Sequence, residues 1–143
     1  MNRKELLTQF EHNMMVIGKE MHEHQLSISK YSPAQNHVLL IIGLRGSLRV
    51  KELAEILHVT SGAITQHIEV LEKAGLLIRR INSKNRREVM VEITPKGEHT
   101  FKEIRSAKLE TLNDLFSILD DDELATLTKL IEKISSRYTL DKE

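Results

Sequence analysis

The chain contains no cysteine among its 143 residues, so no disulfide framework holds it together. It also lacks any long apolar run, which excludes a membrane-spanning helix, and it opens without the charged-then-apolar pattern of a signal peptide. A cytoplasmic location is therefore expected. A net charge is absent too: 21 Lys and Arg balance 21 Asp and Glu, so the whole-chain average carries no nucleic-acid signal. There is no internal repeat, no Gly-x-Ser-x-Gly, no P-loop, no Gly-x-Gly-x-x-Gly and no His-Glu-x-x-His. These absences point away from an enzyme and imply no cofactor. The length suits one domain, or a small domain with an oligomerisation region.

The neutral average hides a gradient. Residues 79–87 carry Arg79, Arg80, Lys84, Arg86 and Arg87 with no acid, a sum of +5. From Glu110 to Glu143, nine acids against Lys129, Lys133, Arg137 and Lys142 leave −5. A basic middle and an acidic end suggest that one surface meets an anion and the other does not.

The stretch Leu48 to Arg80 organises the rest. Apolar residues recur at Leu53, Ala54 and Leu57, then at Ile64, Ile68 and Leu71, the stripe spacing of two short helices. His58, Val59, Thr60 and Ser61 link them, with Val59 expected to turn inward and Thr60 or Ser61 to cap the second helix. Two helices joined so tightly cross steeply, as in a helix-turn-helix. If Ile64, Ile68 and Leu71 face the core, then Ser61, Gly62, Thr65, Gln66 and Glu69 face outward. That face suits a DNA major groove: small residues permit close approach, hydroxyls reach phosphates, and Gln is a donor–acceptor pair able to read adenine. Any amphipathic helix has a solvated face, so the neighbouring sequence has to decide between the two readings.

Gly75 is placed as a helix-ending glycine. Leu76, Leu77 and Ile78 read as a short strand, the basic run as a polar loop, and Val89, Val91 and Ile93 as a second strand of period two. Strand, basic loop and strand make a hairpin wing, with Lys84, Arg86 and Arg87 near its tip for phosphates or a minor groove.

LAEILHVTSGAITQHIEVLEKAGLLIRR followed by NSKNRREVMVEITPKG resembles the winged helix-turn-helix of the MarR family of transcriptional regulators. The family's wing, roughly Asp-x-Arg-Asp-x-Arg before an alternating strand and Leu-Thr-x-x-Gly, is matched here by Arg86, Arg87, Ile93, Thr94 and Gly97. Asn82 and Asn85 stand where that family usually has aspartates bracing wing arginines, Lys84 where it commonly has arginine, and Arg49 where a capping Ser or Thr is common. The resemblance implies an α+β, mostly α fold. Residues 32–97 would form the DNA-binding winged helix-turn-helix, and residues 1–31 and 98–143 a helical dimerisation region. It further implies a homodimeric repressor on a pseudo-palindromic double-stranded operator, released by a small anionic or aromatic ligand. Without cysteine, the thiol-based peroxide sensing of some members is excluded.

The flanks agree with this plan. Leu7, Phe10, Met14, Ile17 and Met21 form a helix-packing seam, which His24 extends. Ser32, Pro33 and Gln35 form a capping box before an all-round apolar helix ending near Gly46, expected to be buried between the first helix and the winged region. Thr94 and Pro95 open another helix, and Asp120 with Glu123 a last one bearing Leu124, Leu127, Leu130, Ile131, Ile134 and Tyr138. Such faces exceed what a small winged domain covers, and a second subunit is the simplest cover. Met14, His37 and Arg45 are the candidate ligand-lining residues: an adaptable thioether, a histidine one turn inside a capped helix, and a cation for a carboxylate. A zinc-responsive regulator using His24, His37 and His99 is an alternative. So is a winged-helix protein-interaction module that works through its acidic last helices.

Overall fold

The computed structural model describes residues 1–138, with side chains for all of these except residues 25–28. Helices dominate: α1 (Arg3–Ile28), α2 (Pro33–Arg45), α3 (Val50–Leu57), α4 (Ser61–Lys73), α5 (Pro95–Leu115) and α6 (Asp121–Ser135), the last followed by a 3-10 turn. Strands β1 (Leu48–Arg49), β2 (Leu77–Asn82) and β3 (Asn85–Ile93) form an antiparallel sheet in the order β1-β3-β2.

Helix starts follow the local chemistry read from the sequence. Ser32 and Gln35 close a capping box with Pro33 in the first turn, Thr94 caps α5 ahead of Pro95, and Asp120 and Glu123 close the box of α6. A further box, Asn2 with Glu5, starts α1. At α3 no side chain caps from position 49. Instead Glu52 Oε1 accepts the Arg49 amide at 3.3 Å, so the acid inside the helix satisfies the entering backbone.

The bend between α3 and α4 departs from expectation. His58 takes a left-handed conformation (φ 52°), its amide donates to Glu55 O and the Val59 amide to Ala54 O. This is the hydrogen-bond pattern of a Schellman helix end, and it turns Val59 out to solvent, 43% exposed, instead of into the core. Thr60, not Ser61, caps α4, its Oγ1 accepting from the Ala63 amide at 3.1 Å. The same motif recurs at the other end of α4, where Gly75 (φ 80°) donates to Glu72 O and Leu76 to Leu71 O.

One core is built where these elements meet. Val38, Leu39 and Ile42 of α2, Leu53 of α3, Ile64, Ile68 and Leu71 of α4, Leu77 of β2 and Val91 of β3 are fully buried. Phe101 and Ile104 bring α5 onto it. Helix α2 packs against α4, α5 and β3, while α1 lies chiefly along α5. The flanking helix packed most extensively on α2 among the described residues is α5. Among the described residues α1 and α6 bury no side chain fully.

Helix α5 is seated closely. Thr94 Oγ1 donates to Gly75 O at 2.6 Å, Lys96 Nζ to Ala74 O at 2.9 Å and the Thr94 amide to Leu76 O at 3.0 Å. A Cβ on Gly97 would lie 2.0 Å from Leu76 O, and one on Gly43 would lie 2.4 Å from the Phe101 ring. Both glycines are therefore fixed by backbone or ring approach.

Candidate nucleic-acid interface

The apolar stripe of α4 decides which of its residues face out. With Ile64, Ile68 and Leu71 buried, Ser61, Gly62, Gln66 and Glu69 are exposed and Thr65 is half-buried. Thr65 already donates its hydroxyl proton to Ser61 O at 2.7 Å, so towards a further partner its hydroxyl can act only as an acceptor. Gly62 is informative because the chain itself does not require it. A Cβ there would meet only Thr60 Oγ1, at 4.0 Å. Exposed in the first turn of α4 and without a side chain, the glycine leaves room for close approach from outside.

The wing differs from the sequence reading in extent. The run expected to be a polar loop is mostly strand: β2 continues to Asn82, β3 begins at Asn85, and only Ser83 and Lys84 turn between them. Two of the five cations are neutralised there. Arg79 forms a two-pronged pair with Glu72 (2.9 and 3.2 Å), and Arg80 pairs with Glu92 at 2.8 Å. Lys84, Arg86 and Arg87 stay exposed, and among the described residues no carboxylate pairs with them. The register explains the placement of the arginines. Ile81 pairs with Val89 but Asn82 with Asn85, so Arg86, Arg87 and Glu88 bulge out of the ladder. The two asparagines brace backbone: Asn82 Oδ1 accepts the Lys84 amide at 3.0 Å and Asn85 Oδ1 the Arg87 amide at 3.1 Å.

Head and wing meet in a cleft of about 250 Å³ lined by Arg49, Lys51, Ser61, Arg87 and Glu88. Lys51 was not singled out from sequence, where it is one exposed lysine on a short helix. Only the tertiary fold brings it beside the start of α4 and the wing bulge. Three cations, one acid, a hydroxyl and a helix N-terminus thus surround one small cleft, a set of groups whose excess of donors and positive charge suits an anion.

The other candidate residues are not gathered. Met14 is exposed on α1, and His37 and Arg45 are both exposed on α2, eight residues apart, or about 12 Å along the helix axis. Partial desolvation, and secondly the Lys108 ammonium, hold the His37 imidazole below its ordinary pKa. His99 pairs with Glu103 at 2.7 Å, and His24 is exposed, not part of an apolar seam within the chain. Among the described residues no three His, Asp or Glu side chains are grouped to hold a metal ion, so His24, His37 and His99 do not converge. A better-built cleft, of about 590 Å³, lies between the α1–α2 link, the end of α4 and the start of α5. Lys30, Lys73 and Lys96 rim it together with Glu103, with Lys30 over the Tyr31 ring and Leu76 and Ile104 among its apolar lining.

Comparison with known proteins agrees with this geometry. The family model described as MarR family matches residues 31–89. The HTH-type transcriptional repressor MdtR of Bacillus subtilis is 29% identical over 112 residues, spanning 78% of this chain and 72% of its own length. The multiple antibiotic resistance protein MarR of Salmonella typhimurium is 32% identical over 110 residues, 76% of each chain. A crystal structure of a mutant MarR from E. coli superposes with a TM-score of 0.74 at 25% identity, covering 94% of this chain and 96% of that one.

Proposed function

The chain belongs to the MarR family, and from that premise we propose that it represses transcription by gripping a pseudo-palindromic operator as a homodimer in the cytoplasm. It is a winged helix-turn-helix transcriptional regulator. The observation that carries the reading at the level of residues is the shared cleft of Lys51, Ser61 and Arg87 beside the side-chain-free Gly62. In this reading Thr65 and Gln66 read base edges in the major groove, with Gly62 and Glu69 on the same face. Ser61, Lys51 and Arg87 hold one backbone phosphate, and Lys84 and Arg86 take a neighbouring phosphate or narrow minor groove.

Residues 32–97 serve as the reading head and residues 1–31 and 98–143 as the dimerisation region, of which residues 139–143 lie outside the described structure. Helix α6 supports this division, since its 15 residues bury none of their side chains fully within the chain while Leu130, Ile131 and Ile134 stand half or more exposed. Leu7, Phe10 and Met14 of α1 are similarly open. Between α1 and α6 runs an apolar hollow of about 720 Å³ that a second copy would fill.

Salt titration of binding to the DNA upstream of the chain's own gene tests the interface. Lys51→Ala and Arg87→Ala should each flatten the dependence of log K on log salt by about one unit, with weakening on every sequence. An unchanged slope in both variants would remove the cleft from the interface. It would then favour a protein-interaction module working through the acidic helices.

Effector release is read onto the lysine-rimmed cleft and not onto Met14, His37 and Arg45, which, among the described residues, line none of these clefts. An amphiphilic anion there would touch α4, α5 and the α1–α2 link at once, and so bias the angle between heads and dimer helices. A differential affinity of about 1–3 kcal/mol between the two head positions gives a 5–150-fold change in operator binding.

A further inference from the structure

We propose that Glu88 is a positioning residue for operator binding: it touches no DNA, but locks the wing to the reading head so that Arg87 and Lys51 face one phosphate. This rests on the operator-binding reading above and adds a residue that reading does not contain.

The geometry is a three-way junction. One carboxylate oxygen of Glu88 accepts from Asn82 Nδ2 at 2.8 Å, at the tip of β2, and the other from Arg49 Nη1 at 3.0 Å, at the start of α3. Arg49 in turn donates Nε to Glu52 Oε1 at 2.6 Å inside α3. A single chain of charge-assisted hydrogen bonds thus runs from the wing to the first helix of the helix-turn-helix. Its position gives it leverage. Glu88 is the last residue of the three-residue bulge that carries Arg86 and Arg87, where no strand pairing holds the backbone. The carboxylate supplies what the interrupted ladder does not. Asn82 and Arg49 together hold that carboxyl below the usual carboxylate range, which agrees with a fully engaged anion. Asn82 and Arg49 engage one carboxylate oxygen each, while the two wing arginines are exposed and pair with no acid among the described residues.

An acid lining a phosphate-sized cleft is otherwise unfavourable, since it repels the anion the cleft should hold. That conflict gives the test a sign. Simple electrostatics predicts that Glu88→Gln, which removes a negative charge, tightens DNA binding, and that Arg49→Lys, which conserves charge, leaves it unchanged. Positioning predicts that both weaken it, on the order of tenfold, because glutamine cannot accept on both arms and one ammonium cannot reproduce the forked contacts of a guanidinium. Operator titrations on the full chain should show both losses, at unchanged melting temperature for at least Arg49→Lys. Each loss should be non-additive with Arg87→Ala and additive with Gln66→Ala. A structural defect in the head would instead couple to Gln66. Tighter binding by Glu88→Gln together with a neutral Arg49→Lys would overturn the proposal. If Arg87→Ala itself had no effect on affinity or salt slope, the operator-binding reading would fail first, so the two failures are separable.

Discussion

At the scale of single residues, two positions on α4 carry opposite kinds of information. Gln66 is exposed and its amide is available, so its meaning depends on its partner. Gln66→Ala should cost about 1–3 kcal/mol at the preferred site and relax one base position, seen as a flattened profile across a randomised operator library. Gly62 is legible from within the chain, because nothing inside needs it. Gly62→Ala should raise fold stability by up to about 1 kcal/mol while weakening operator binding. Chemical denaturation and DNA titration on the same sample check both signs, and a variant that gains stability without losing affinity would mean that no surface approaches α4 there. The outward set Ser61, Gly62, Thr65, Gln66 and Glu69 was readable from periodicity alone, since the helical period fixes opposite faces. Lys51 was not, because its role depends on a neighbour 36 positions away in sequence, Arg87.

At the scale of elements, capping chemistry placed helix starts well because it is local: the side chain and the amides it satisfies lie within four residues. The wing was misjudged for the converse reason. Whether Arg79 and Arg80 lie in loop or strand depends on pairing with β3 and on Glu72 and Glu92, none of which charge counting sees. The seat of α5 is another non-local fact, and it yields a test. Gly97→Ala would push a methyl into the Leu76 carbonyl, which already accepts from the Thr94 amide. Overpacking of this kind costs about 1–3 kcal/mol. The urea midpoint, compared at equal protomer concentration, should fall accordingly. An unchanged midpoint would mean that α5 is free to shift on the head.

At the scale of the whole molecule, the distribution of buried surface is lopsided. The head has a closed core, while α1 and α6 present Phe10, Met14, Leu130 and Ile134 to solvent in a single chain. Leu130→Glu with Ile134→Glu should turn a dimer into a monomer by sedimentation. Operator affinity should fall with it, because two half-sites about 34–36 Å apart can no longer be engaged together. A wild-type chain that is a stable folded monomer at micromolar concentration would defeat the dimer. Lys73→Ala with Lys96→Ala should likewise abolish any thermal stabilisation by aromatic carboxylates while leaving operator affinity within about threefold. Stabilisation that survives the double variant would place the ligand elsewhere.

The sequence by itself determined the helices, their caps, the outward face of α4 and the existence of a wing, because each depends on periodicity or on contacts within a few residues. Tertiary structure alone decided that α1 follows α5 and that two of five wing cations are paired with acids. It also decided that Lys51, Ser61, Arg87 and Glu88 share one cleft. Those outcomes arise where distant segments compete for the same face or the same charge, and that competition is resolved only when the chain closes on itself.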